Sequence, residues 1–155
     1  MNNLKINIMD ARKELDNIIR LVKLNGNTLE ALKKAVSGTS VESDFTEEEI
    51  ESIFNNTEDI KPNDFIGVGA TEWTGYAGLG GDAYPYKVVW CDGDIMVLRE
   101  LNFVIDDLVD GEGTIGEMND NIIVCKYKKN KGWFIKGTKT RVIVGYARAY
   151  RNPSF

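Results

Sequence analysis

Two hydrophobic patterns divide the chain. In the first third, apolar residues recur three and four positions apart: Leu15, Ile18, Ile19 and Val22, then Leu29, Leu32 and Val36, then Ile50, Ile53 and Phe54. Each set falls on one stripe of an α-helix. Asp10 is placed to cap the first helix, which runs to about Leu24 and breaks at Asn25-Gly26-Asn27. Thr28 caps the second, and Gly38 stands just past its end. Residues 37–46 read as a polar linker. Thr46 with Glu49 predicts a capping box for a third helix over about 47–55. Its first turn carries Glu47, Glu48 and Glu49, which suits the positive end of a helix dipole.

From Phe65 onward the pattern becomes that of strands. Strands are predicted over 65–71, 84–91, 95–99 with an extension over 101–108, 121–128, 133–136 and 141–150. Asp92-Gly93-Asp94 and residues 129–132 are hairpin signals. The expected fold class is α+β: N-terminal helices followed by a curved antiparallel β-sheet or small barrel-like meander. Residues 1–38 are expected to form a helical hairpin, and 46–155 a helix plus antiparallel β domain. The hairpin shows no core of its own, so it either packs on the β domain or serves as an oligomerisation surface.

Composition narrows the class. The chain has 155 residues, 43% hydrophobic and 28% charged, an ordinary globular balance. No run approaches the roughly 20 apolar residues of a membrane span. The opening MNNLKINIMDARKEL lacks the features of a signal peptide, so a cytoplasmic location is expected. A net charge of −5 argues against broad nucleic-acid binding, though not against a local basic pocket. Acidic residues crowd 42–64 and 106–120, while 126–151 is basic. Cys91 and Cys125 lie in strand-like runs and read as buried fillers. The chain has no histidine, which removes the commonest general base and transition-metal ligand. No metal or cofactor is expected.

Candidate chemistry centres on FIGVGATEWTGYAGLGGDAYPY, residues 65–86. Its glycines allow close backbone approach, and Trp73, Tyr76, Tyr84 and Tyr86 offer flat faces. The stretch reads as the lining of a pocket for a small, flat, anionic molecule. Gly67-Val68-Gly69 lacks the third glycine and following helix of a dinucleotide turn. Residues 106–117 approach a calcium loop, but Leu108 stands where an oxygen ligand belongs, so an acidic turn is expected. Asp92, Asp94 and Glu100 form no catalytic constellation. Arg99, Arg141, Arg148 and Arg151 lie in or beside strands, suited to gripping phosphate with a planar fork. Alternation puts Tyr146, Arg148 and Tyr150 on one face of the last strand.

A family resemblance rests on Gly67-Val68-Gly69-Ala70-Thr71, then Asp82-Ala83-Tyr84-Pro85-Tyr86-Lys87-Val88-Val89, Lys131-Gly132-Trp133 and Lys136-Gly137. It closes on Gly145-Tyr146-Ala147-Arg148, Tyr150 and Asn152-Pro153-Ser154-Phe155. In these the chain resembles the first family of Thoeris anti-defence proteins. Those are phage sponges that bind a cyclised ADP-ribose signal made by bacterial TIR-domain defence proteins and hold it without cleaving it. Some members are described as sequestering cyclic oligonucleotides and as forming dimers and larger oligomers. The resemblance covers residues 65–155 and, more loosely, the N-terminal helices. It departs at the acidic stretch 111–121, which replaces a Gly-rich or Asn-rich signature. It implies a non-enzymatic, homo-oligomeric protein of the host bacterial cytoplasm, with a cyclic nucleotide-type ligand and neither nucleic acid nor membrane as partner. On that reading Trp73, Tyr84, Tyr86 and Phe103 stack the ligand; Arg99, Arg141 and Arg148 hold phosphate; Thr71 and Asn102 add polar contacts. The rival expectations are a phage inhibitor acting on a host enzyme through its acidic surface, and a small hydrolase of the same signals.

Overall fold

A computed structural model describes residues 2–75, 81–106 and 109–153, the side chains of 2–9 excepted. Tyr76, one of the aromatics singled out above, lies outside the described residues, as does Leu108. The chain is α+β, as its pattern predicts. It divides into two compact units, Met1–Ile60 and Lys61–Phe155.

The first unit is helical. Helix α1 spans Asn2–Leu24 and therefore begins well before the Asp10 cap. Residues 2–9 contain neither glycine nor proline, so nothing stops a nucleated helix from extending through them. It ends where the backbone N–H groups of Asn25 and Asn27 both donate to Val22 O, with Asn27 left-handed at φ 48°. Thr28 caps α2, Leu29–Val36, by accepting from Ala31 N at 3.1 Å. The predicted linker contains a short helix, α3, Ser40–Asp44, which drives Val41 fully into the core. Helix α4, Glu47–Asn56, starts at the predicted capping box. Glu49 N donates to Thr46 Oγ1 at 3.1 Å, and Thr46 N to Glu49 Oε1 at 2.9 Å.

Leu15, Ile19, Leu32, Val41, Ile50 and Phe54 pack together as this unit's own core. The boundary therefore differs from the predicted one: the helix at 47–56 completes the helical unit instead of opening the β domain. Four helices with one stripe each can close a core that two cannot. Lys23 secures the end of the unit, with its ammonium 3.0 Å from Asp59 Oδ1 and 4.3 Å from the Phe54 ring centroid.

The second unit opens on α5, Pro62–Phe65, whose last residue was predicted to begin a strand; Pro62 presets the first helical φ, and the strand starts only at Gly69. Six strands follow: β1 Gly69–Trp73, β2 Ala83–Asp92, β3 Ile95–Ile105, β4 Gly113–Lys128, β5 Gly132–Ile135 and β6 Arg141–Val144. Each pairs antiparallel with the next and β6 pairs with β1, closing the barrel. The cross-strand partners Ala70–Val144, Ala70–Tyr86, Val88–Leu98, Met96–Cys125 and Trp133–Val142 are all buried. Directly paired residues share a face, so these side chains mark the barrel interior.

β6 ends earlier than predicted, at Val144. Gly145, at φ 132°, turns the chain out of the ladder. Residues 145–151 then form a strap, where Tyr150 exchanges backbone hydrogen bonds with Ala83, Gly113 N donates to Ala149 O, and Arg151 N donates to Gly111 O. Gly111 is required there: its φ is 78°, and a Cβ would stand 2.2 Å from Arg151 O. Among the described residues no helix is long and apolar enough to cross a membrane.

Candidate functional site

Barrel closure separates the residues that the sequence grouped into one pocket. Thr71 is 0% exposed, and its hydroxyl donates to Tyr146 O at 2.8 Å and accepts from Arg148 N at 3.1 Å. It clamps the strap and offers nothing to a ligand. Tyr86 is 5% exposed and points inward, donating to Glu72 Oε1 at 2.9 Å. Burial, then the Glu72 charge, pushes its hydroxyl well above the ordinary tyrosine range. It cannot stack a ligand from there.

Tyr84 and Phe103 meet edge to face, with ring centroids 6.0 Å apart. Burial and then Asp82 raise the Tyr84 hydroxyl. Arg99 is engaged locally: Nε donates to Asn119 O at 2.8 Å and one terminal nitrogen to Asp120 Oδ1 at 2.9 Å. Asn102 accepts from Asn119 Nδ2 at 2.9 Å. Both residues thus serve the bulged part of the β3–β4 ribbon, where register shifts flank Leu101.

Arg148 is also engaged, by an ion pair to Glu112. The hydrogen bond between them, first, holds the Glu112 carboxyl below its usual range and raises the guanidinium. Its predicted company with Tyr150 does form, though on the strap instead of a strand. The guanidinium carbon lies 4.8 Å from the Tyr150 ring centroid and 5.5 Å from that of Trp73.

Trp73 and Arg141 are the predicted residues that come together over open space. They are direct partners across β1 and β6. The outer-face row continues, because Arg141 pairs with Phe134 on β5, and Phe134 with Lys126 on β4. Trp73, Arg141, Phe134 and Lys126 thus follow one another across four strands, about 5 Å per step. Two clefts flank the turn at 136–140. One, of about 600 Å³, is lined by Trp73, Thr74, Lys139, Thr140, Arg141 and Ile143. The other, of about 410 Å³, is lined by Lys126, Lys128, Phe134, Lys136, Thr138 and Lys139. Lys139 borders both. No carboxylate among the described residues lines either cleft.

The clefts gather positive charge. Lys126, Lys128, Lys136, Lys139 and Arg141 are exposed. None of them makes an ion pair among the described residues, whereas Arg12, Lys23, Lys33, Arg99 and Arg148 all do. Lys128 instead places its ammonium 4.4 Å from the Phe134 ring centroid. Phe134, Lys126, Lys128, Lys136 and Lys139 were absent from the predicted site. Their signal was the basic bias of residues 126–151, together with alternation that sets Lys126 and Lys128 on one side of β4. The helical unit has a separate cleft of about 300 Å³, lined by Leu29, Val36, Phe45 and Ile50, with Lys33 paired to Glu47 at 3.0 Å. Ser37, Glu42 and Glu51 complete its lining, so its charge is acidic on balance and unsuited to an anionic ligand.

Neither cysteine belongs to a site. Both are buried and unbridged. Burial, with Glu72 second, pushes Cys125 up to about 12, and burial raises Cys91. Both thiols are therefore expected to resist iodoacetamide at pH 8 in the native protein and to react fully in denaturant. Cys125 is protonated more tightly when folded than when unfolded. Its contribution to stability is complete below about pH 9 and fades as pH rises toward about 12. Thermal melts from pH 8 to 11 check the direction. Among the described residues no His/Cys/Asp/Glu cluster can hold a metal ion.

Comparison of the chain with protein-family models, with curated proteins and with solved structures found no match.

Proposed function

We propose that the chain binds a phosphorylated, nucleotide-type molecule in the cleft at Trp73 and Arg141 and holds it chemically unchanged. One observation carries this reading: an indole and an unpaired guanidinium sit in direct cross-strand register, and with Lys139 they line a cleft free of carboxylates among the described residues. The indole suits a base, whose stacking on an aromatic contributes about 1–3 kcal/mol. The guanidinium and ammonium suit a diphosphate. The cleft volume lies within the ordinary range for small-molecule sites. A protein that only sequesters a ligand needs no transition-state complementarity and hence no general base.

The resemblance to the first family of Thoeris anti-defence proteins specifies the ligand class, a cyclic ADP-ribose isomer, and the setting, the cytoplasm of a phage-infected bacterium. Silencing a signal at micromolar protein requires a Kd of about 1 nM, or roughly −12 kcal/mol. A cleft open on one side reaches that when a second subunit closes over it, so a homo-oligomer forms part of the proposal.

Calorimetry with cyclic ADP-ribose isomers and linear ADP-ribose tests the reading. The expected result is saturable heat with at least one isomer, lost in Trp73→Ala, and recovery of intact ligand by mass spectrometry after heat denaturation. Absence of heat and of any melting shift with every isomer would overturn it, as would recovery of a cleaved ligand.

A further inference from the structure

We infer that the outer face of β1, β6, β5 and β4 is a platform for a single-stranded nucleic acid, which spans both clefts. The inference rests on the Trp73–Arg141 reading for one of its two stacking positions; the Phe134 half stands independently.

Three observations combine. First, rings and cations alternate across the strands in the order Trp73, Arg141, Phe134, Lys126. The two rings stand about 10 Å apart, too far to share one base and close enough to serve one strand. Second, the two clefts border the same side chain, Lys139, on either side of the turn at 136–140, so one bound chain can reach both. Third, the chain carries a net charge of −5, yet Lys126, Lys128, Lys136, Lys139 and Arg141 gather around these two clefts with no carboxylate lining either and no ion pair among the described residues. Like charges held together without partners destabilise a folded protein, and a polyphosphate backbone relieves that repulsion. One nucleotide occupies the Trp73 cleft alone and leaves Lys126, Lys128 and Lys136 unused. A grooved cationic surface with interleaved rings is the general arrangement by which proteins hold single strands without reading their sequence.

Fluorescence anisotropy with labelled oligothymidines of increasing length tests this on the full chain. Affinity is expected to rise with length and level off between about four and eight nucleotides. Neutralising three or four phosphates predicts a slope of about −2 to −3 in log affinity against log salt. Phe134→Ala should weaken oligothymidine binding by about fivefold or more and leave heat from an ADP-ribose-type ligand unchanged. The double variant Lys126→Ala/Lys136→Ala alters exposed side chains only, so its loss of binding cannot be ascribed to misfolding.

Equal affinity for heparin, for a duplex of the same length, or for vesicles rich in phosphatidylserine would overturn the inference, since none of these offers unpaired bases to the rings. So would an unaffected Phe134→Ala. Oligonucleotide binding without ADP-ribose binding removes the proposed function and keeps this inference; the converse removes this inference alone.

Discussion

Replacing Thr71 with valine is expected to destabilise the β unit by about 2–4 kcal/mol. The Thr71 hydroxyl serves two backbone groups of the strap at once, accepting from Arg148 N and donating to Tyr146 O. Valine fills nearly the same volume, so no cavity opens. What remains is a part-buried carbonyl and a part-buried N–H that lose their shared partner, each costing about 1–2 kcal/mol. Serine retains both hydrogen bonds and loses only a methyl group, about 1 kcal/mol. Melting curves should therefore rank wild type, serine, valine, with the valine variant lower by roughly 4–8 °C per kcal/mol. The strap also carries Arg148 against Trp73, so the valine variant should bind ligand less well than its residual stability alone predicts. A valine variant that melts with the wild type would mean that the hydroxyl is not holding the strap.

Alanine at Arg141 should have the opposite profile. The side chain is exposed and unpaired, so stability should change by less than about 0.5 kcal/mol. Affinity for a nucleotide-type ligand should fall about 10- to 100-fold, the loss of one charge-assisted phosphate contact of about 1.5–3 kcal/mol. Lysine should restore only part, because it keeps the charge and lacks the planar fork. Arg99→Ala supplies the contrast. Its guanidinium is engaged by Asn119 and Asp120, so its removal should leave affinity unchanged. Titrations of the three variants under one salt condition check the ranking. Equal losses from Arg99→Ala and Arg141→Ala would place the ligand elsewhere.

The helices and hairpins were legible in the chain because their signals are local. The stripes of α1, α2 and α4, the Thr28 cap, the Thr46–Glu49 box and the Asp92-Gly93-Asp94 turn each depend on residues within a few positions. The errors lie where a long-range partner overrides local preference. Residues 40–44 look polar, yet Val41 anchors a helix turn in the core. Residues 145–150 alternate like a strand but lie as a strap, because Thr71 and Gly111 take up its backbone groups from elsewhere in the barrel. The candidate site was legible in part for the same reason. Trp73 and Arg141 were identifiable as a ring and a guanidinium in strands, whereas Tyr86 could not be seen to face inward.

The order of residues by itself determined the α+β class, the succession of elements and the two chemistries available to a ligand, flat rings and guanidiniums. It did not determine which cations remain open. Arg99 and Arg148 find hydrogen-bonding partners, while Lys126, Lys139 and Arg141 make no ion pair among the described residues. That sorting follows from cross-strand register, and register follows from the β3–β4 bulges and from β6 returning to β1 some seventy positions away. Pairing of β4, β5 and β6 sets Lys126, Phe134 and Arg141 side by side, and closure of the barrel adds Trp73, so only the tertiary structure could say where positive charge is left for a partner.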